Sequence, residues 1–189
     1  MSATQFHNEH VRLRALEPVD VEALHAYLND ERLFGRRYLP WGIVDAGPFS
    51  HGKVHEILAQ WAKEKKAFAL GIETPAGDLV GHAGCHWGWD THCPSTWVVI
   101  APGHQRCGFG TAAIDLLMSY LFENTPAHNV NGWVSSWNGD GLTFAKTLGF
   151  SETGRIPRSG LRDGVYFDDV MIDILKPEWR TRREGSDGA

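Results

Sequence analysis

Residues 96–121 read TWVVIAPGHQRCGFGTAAIDLLMSYL, and the fold turns on this stretch. Thr96 to Ile100 is a short apolar run rich in β-branched residues, the signature of a strand. Pro102, Gly103, Gly108 and Gly110 then break regular structure. From Phe109 onward, Ala112, Ala113, Leu116, Leu117, Tyr120 and Leu121 recur with the helical period. A strand, a glycine turn and a helix therefore follow in that order. A helix N-terminus presents unpaired N–H groups and a partial positive charge. Gly108 and Gly110 let the backbone curl so that successive amides face one anion, and Gly103 adds freedom at the turn entry. Such a turn suits a pyrophosphate, with Arg106 adding a charge-assisted contact. The plainer reading is a turn that only joins strand to helix.

Two other phosphate-binding patterns fit poorly. A nucleotide P-loop ends in Gly-Lys-Ser/Thr, whereas Gly110-Thr111 has no lysine. A dinucleotide fold places its turn after an early strand, with an acidic residue about 20 residues on. This turn lies past mid-chain, and Glu123 stands at the far end of the helix.

Outward from the turn, Val11 to Leu16 alternates as a strand, and Pro18 and Asp20 open a helix carrying Ala23, Leu24, Tyr27 and Leu28. A loop with Pro40, Gly42 and Gly47 leads to a second helix marked by Val54, Ile57, Leu58 and Trp61. Ala67 to Glu73 and Leu79 to Trp87 flank a Thr-Pro-Ala-Gly-Asp turn and read as a hairpin. Val130 to Ser136 is a strand, Asn138 to Leu148 a helix closed by Gly149, and strands around Phe150 and over Val165 to Ile174 follow. The expected fold is a single-domain mixed α/β sheet with helices on both faces. Residues 1–10 form an N-terminal segment, 11–179 the domain and 180–189 a flexible tail.

The 189 residues carry a formal net charge of -5, with 42% hydrophobic and 22% charged residues, an ordinary globular balance. Without a clustered basic footprint, nucleic acid is not expected as a partner. Cys85, Cys93 and Cys107 form no CxxC pair, which fits a reducing compartment rather than a disulfide framework. The polar start and the lack of about 18 consecutive apolar residues point to a cytoplasmic chain with no membrane partner.

The chain resembles the GCN5-related N-acetyltransferase (GNAT) family, and within it the RimJ/RimL-like branch that acetylates ribosomal protein N-termini. Three pieces carry the resemblance: Gln105-x-x-Gly108-x-Gly110, Asn138 followed by Gly149-Phe150, and Asp163-Gly164 before a strand with Asp168-Asp169. The resemblance implies an N-acetyltransferase that moves acetyl from acetyl-CoA to a primary amine in a direct ternary complex. It implies a mostly antiparallel sheet with splayed central strands, with pantetheine bonding to backbone at Val98, Val99 and Ile100. The pyrophosphate would lie on Gln105, Arg106, Cys107, Gly108, Phe109, Gly110 and Thr111, and Asn138 would hold the pantetheine arm. A helix N-cap is the competing role for Asn138. The acceptor is a protein N-terminus or a small amine, and a homodimer is a candidate assembly.

At the catalytic positions the chain departs from the family. The usual glutamate near the start of the strand before the turn corresponds to Ser95. The usual proton-donating tyrosine or serine corresponds to Ala145 or Gly141. A catalytically weak CoA-binding or sensing domain is therefore the second reading. Replacement bases are sought on the hairpin strand, where Val80, His82, Gly84 and His86 share a face by alternation. Histidine accepts protons near neutral pH, so His86 and His82 are the candidates, ahead of Asp90 and His92. A metal is not expected. His82 and His86 stand roughly 13 Å apart along a strand, and His51 and His55 form no HExxH motif. Trp41, Trp87 and Trp89 are expected to border the acceptor site, and Trp61, Trp97 and Trp133 to pack in the core. Cys107 sits at an electropositive helix start, yet direct transfer needs no nucleophilic cysteine.

Overall fold

The computed structural model describes residues 6–34, 48–88 and 90–186. Trp41, Trp89, the breakers Pro40, Gly42 and Gly47, and the last three residues fall outside them. The chain divides into two compact units, Met1–His86 with Trp97–Asn124, and Trp87–Thr96 with Thr125–Ala189. The architecture is α/β, and its seven strands are mostly antiparallel, as expected.

The first unit contains β1 (Arg12–Ala15), α1 (Val21–Leu28), the short α2 (Glu31–Phe34), α3 (His51–Lys63), β2 (Ala67–Glu73), β3 (Leu79–His86), most of β4 (Ser95–Ile100) and α4 (Phe109–Asn124). Ser50 caps α3 by accepting from the Lys53 amide at 3.1 Å, satisfying one of the orphan donors of a helix start. In the β2–β3 hairpin, Gly71 pairs with His82, Ala69 with Gly84 and Ala67 with His86. Paired residues point the same way, so these six share one sheet face.

That face lies under α1 and α3. Leu16 and Leu79 crowd the space beside Gly71 and belong to a cluster with Leu24, Tyr27, Leu28, Val54, Ile57 and Val99. The opposite face carries Phe68, paired with Cys85, and Phe68 meets Tyr120 of α4 edge-on at 5.8 Å between ring centres. Helices thus cover both faces of this unit's sheet. The α4 stripe is wider than the periodicity predicts. Ile114, Met118 and Phe122 are buried as well, and Leu116 is only half-buried.

On β1 and β2, Arg12 and Arg14 both bond Glu73, and Arg14 also forks onto Asp20 at 2.7 Å through two nitrogens. Arg14, reinforced by Arg12, holds the Glu73 carboxyl below its ordinary range. Two cations shared with two carboxylates leave no buried charge uncompensated.

The second unit holds β5 (Asn129–Ser135), α5 (Gly139–Thr147), β6 (Ser151–Arg162), β7 (Val165–Leu175) and α6 (Lys176–Ser186). β7 runs antiparallel to both β5 and β6. The start of β4 joins β5 in parallel at Ser95↔Asn131. Asp163 and Gly164 turn β6 into β7 with φ of 50° and 78°. Both left-handed residues match the twist of the hairpin. Gly149, with φ of 88°, ends α5 as expected.

Two expectations need correction. The stretch read as a tail from residue 180 is helical to Ser186. Its anchor is Trp179, 2% exposed, with the Arg183 guanidinium 5.0 Å above the ring. Glu178 reaches back to the Leu175 amide at 2.9 Å to start the helix. A single buried residue leaves no periodic stripe, so the sequence pattern missed it. Trp133, expected in the core, is 39% exposed because it is on the outward face of β5.

Replacing Trp179 with Ala is expected to cost about 3–5 kcal/mol, the usual range for emptying a buried tryptophan site. Urea unfolding of the full chain measures this, and a loss below about 1 kcal/mol would mean α6 is not anchored there.

Candidate functional site

The turn between β4 and α4 takes its shape from two residues with left-handed backbone, Arg106 at φ 63° and Gly108 at φ 82°. Alternation of left- and right-handed residues turns neighbouring N–H groups toward a common concavity, an anion-binding nest. Gly108 adopts this conformation freely, whereas Arg106 pays about 1–2 kcal/mol for it. Residues 103–108 are exposed. Among the described residues, none accepts from the amides of Gly108, Phe109, Gly110 or Thr111. The first helical bond runs from Ala112 to the Gly108 carbonyl at 3.0 Å. The α4 amides therefore open toward solvent beside an exposed Arg106, Cys107 and Thr111.

Gln105 makes a side-chain bond back to the strand. Its side-chain amide donates to the Ile100 carbonyl at 3.0 Å and ties the turn to the end of β4. Val99 is buried against α1 and α3, while Val98 and Ile100 are half-buried.

The β3 histidines share a face but not an environment. His82 is 0% exposed, 2.7 Å from the Tyr27 hydroxyl and 5.3 Å from the Trp61 ring centre. Burial pushes its pKa down to about 4 and pushes that of Tyr27 up. A neutral imidazole with no solvent contact has nowhere to take a substrate proton from. His82 is a core residue in this conformation, and alternation along the strand could not reveal that depth. His86, at the end of β3, is exposed, with its ring 6.2 Å from that of Trp97.

Trp97 lies over Gly84. A Cβ on Gly84 would meet Trp97 Cζ2 at 2.5 Å and collide with the Phe68 carbonyl. Trp97 Nε1 and His82 Nε2 are both buried and have no hydrogen-bond partner among the described residues, which sequence patterning gives no means to find.

In the second unit, the Ser95 hydroxyl donates to Asn131 Oδ1, and Asn131 Nδ2 donates to the Cys93 carbonyl at 3.2 Å. Ser95 therefore pins the start of β4, with its proton engaged. Asn138 is the N-cap of α5, accepting from the Gly141 amide at 2.8 Å. A side chain at Gly141 would strike this capping amide, with Asn138 Cγ only 2.8 Å from the added carbon. The room that a serine would need is taken by the cap. Ala145 is buried at 5%. Asp90 and His92 bond each other at 3.2 Å, and Trp87 is half-buried. His51 bonds Glu22 at 3.0 Å and stacks on His25 at 3.8 Å. Among the described residues, no three His, Cys, Asp or Glu side chains are arranged to hold a metal ion, and no helix is long and apolar enough to cross a membrane.

A family profile described as Acetyltransferase (GNAT) domain matches residues 10–151. YdaF of Bacillus subtilis, provisionally named a ribosomal N-acetyltransferase, is 30% identical over 182 residues, covering 91% of this chain and 94% of its own. Spermidine N(1)-acetyltransferase of Vibrio cholerae is 22% identical over 179 residues, covering 94% of this chain and 99% of its own. A crystal structure of spermidine N-acetyltransferase from that organism, in complex with CoA and spermine, superposes with a TM-score of 0.77. It has 21% identity and covers 92% of this chain and 99% of the other. A GNAT-family acetyltransferase from Bacillus anthracis gives a TM-score of 0.78 at 19% identity, over 91% and 98% of the two chains.

His82 titrates near pH 4 when folded and near 6.5 when unfolded, so the unfolded chain binds the proton more readily. Its contribution is complete above pH 6.5 and is lost as the pH falls toward 4, at up to about 1.4 kcal/mol per pH unit. Urea midpoints over that window are expected to fall less steeply in a His82→Gln chain. An identical slope would place the proton uptake on another group.

Proposed function

The chain belongs to the GNAT acetyltransferase family and is an acyl-CoA-dependent N-acetyltransferase, and from that premise we propose direct transfer of acetyl from acetyl-CoA to a primary amine in a ternary complex. The observation that carries this reading is the pair of left-handed residues, Arg106 and Gly108, that turns the exposed amides at the start of α4 outward. The coenzyme's pyrophosphate lies on residues 105–111, with Arg106 as the adjacent cation. The pantetheine arm runs back along β4, bonding to backbone at Val98 to Ile100. A β4 N–H in that stretch serves as the oxyanion donor.

Running the coenzyme from the turn toward the start of β4 brings the thioester to the end where His86 and Trp97 stand. His86 takes the ammonium proton, directly or through water. The thiolate departs without an acid, since a thiol of pKa about 8.5 is a competent leaving group. The acceptor is a peptide N-terminus or a small amine. The similarity to YdaF favours the RimJ/RimL-like branch, and the similarity to spermidine N(1)-acetyltransferase favours an amine in general. The second reading, a CoA-binding or sensing domain with weak catalysis, draws its support from Gly141 and Ala145, which offer no proton. In either reading the chain works in the cytoplasm.

Two measurements test the proposal. Gly108→Val forces a β-branched residue into left-handed backbone at a cost of about 1–2 kcal/mol, though no neighbour blocks its Cβ. The acetyl-CoA Kd should rise about tenfold; an unchanged Kd removes the turn from the binding site. His86→Ala should lower kcat/KM by about a hundredfold or more in a thiol-release assay with amine and peptide acceptors. Undiminished turnover would exclude His86, and acetyl-CoA binding without thiol release from any acceptor would favour the sensor.

A further inference from the structure

The sheet formed by β5, β7 and β6 has one buried face and one open face. Val130, Val170 and Ile174 are buried on the first. Along the open face, strand register sets Trp133 beside Met171, then Asp169 beside Ile156, and at the far end Arg162 beside Val165. Phe167 lies between the last two pairs. Trp133, Ile156 and Val165 are 39%, 47% and 69% exposed. Gly154 and Gly160 offer no side chain, so Met171 and the Phe167 ring lie over them and the face stays flat. Apolar side chains gathered on one open face mark a contact surface.

The two ends of this face carry opposite charge. Asp169 accepts from the Ser135 hydroxyl at 2.9 Å, and no cation bonds it among the described residues. The Arg162 guanidinium lies 3.8 Å over the Trp137 ring and meets Asp163 through Nε at 3.5 Å. Both of its Nη groups are left without a partner among the described residues. Phe167 stands midway, between Asp169 and the Val165 that pairs with Arg162.

A face with an acid at one end, a cation at the other and apolar side chains between is complementary to itself after half a turn. We propose that it docks on the same face of a second copy of this chain, with the two-fold axis through Phe167. Asp169 of each chain then meets Arg162 of the partner subunit. Sheets packed face to face lie about 10 Å apart, close enough for apolar side chains to interdigitate. The apolar area supplies the attraction, and the two ion pairs fix the register. The interface stands whether or not the chain transfers acetyl.

Sedimentation of the full chain tests this, and it should run as a dimer at micromolar concentration. Val165→Asp should raise the dimer Kd about a hundredfold, because it sets an unpaired carboxylate among apolar groups. Leu161→Asp, on the opposite face of the same hairpin and 59% exposed, should leave the Kd unchanged. Asp169→Arg and Arg162→Asp should each raise it about tenfold, and the two together should restore it. A monomeric full chain would leave the face to some other partner and overturn the proposal. So would a dimer that Val165→Asp leaves intact, one that Leu161→Asp weakens equally, or a double variant no tighter than the single ones.

Discussion

Left-handed backbone at Arg106 and Gly108 is the constraint on which the functional end of this molecule depends. The chain must leave β4, reverse, and enter α4 with its first amides facing outward. The Gln105 bond to the Ile100 carbonyl fixes one end of the turn, and the broad buried surface of α4 fixes the other. Between these anchors few backbone paths remain, and the observed one places a non-glycine residue at φ 63°. Strain of this kind persists where the surroundings over-determine it, and it concentrates at binding sites. A turn with no anion to hold could relax at little cost by placing glycine at 106.

Local geometry was legible in the sequence wherever one residue type has one conformational use. Gly108 and Gly149 each announce positive φ, and each adopts it. The β2–β3 hairpin and the α3 stripe follow from period alone. What escaped the sequence was depth. Alternation correctly assigns His82 and His86 to one face, but the height of α1 and α3 above that face is a property of distant residues, Tyr27 and Trp61. The same limit explains Trp133, whose strand period is right and whose face turns outward. It explains Trp179 too, where one large side chain secures a helix of otherwise charged residues.

Depth also divides the chemistry along β3. Four residues apart, two identical side chains meet opposite solvents. His82 is desolvated and kept neutral, and its Nε2 has no partner among the described residues, while His86 stays exposed to water. Gly84, between them, is the position at which the strand passes from core to surface. It leaves room for Trp97, whose indole spans that boundary.

The missing proton donor is best understood by comparing the two protons that acetyl transfer must move. An ammonium near pKa 10.4 is almost fully protonated at neutral pH, and its nucleophilic form must be generated at every turnover. A thiol near 8.5 leaves as the weaker base and can collect its proton from solvent afterwards. An acyltransferase can therefore lose its acid more cheaply than its base. In this chain Gly141, which the resemblance sets at the acid position, lies against the capping side chain of Asn138, so a side chain there would disturb the cap. Ser95, which the resemblance sets at the base position, donates its hydroxyl hydrogen to Asn131 and holds the start of β4. On the proposed mechanism both substitutions follow one logic: positions that the resemblance assigns to proton chemistry here hold local backbone, and the proton transfer falls to the exposed imidazole of His86.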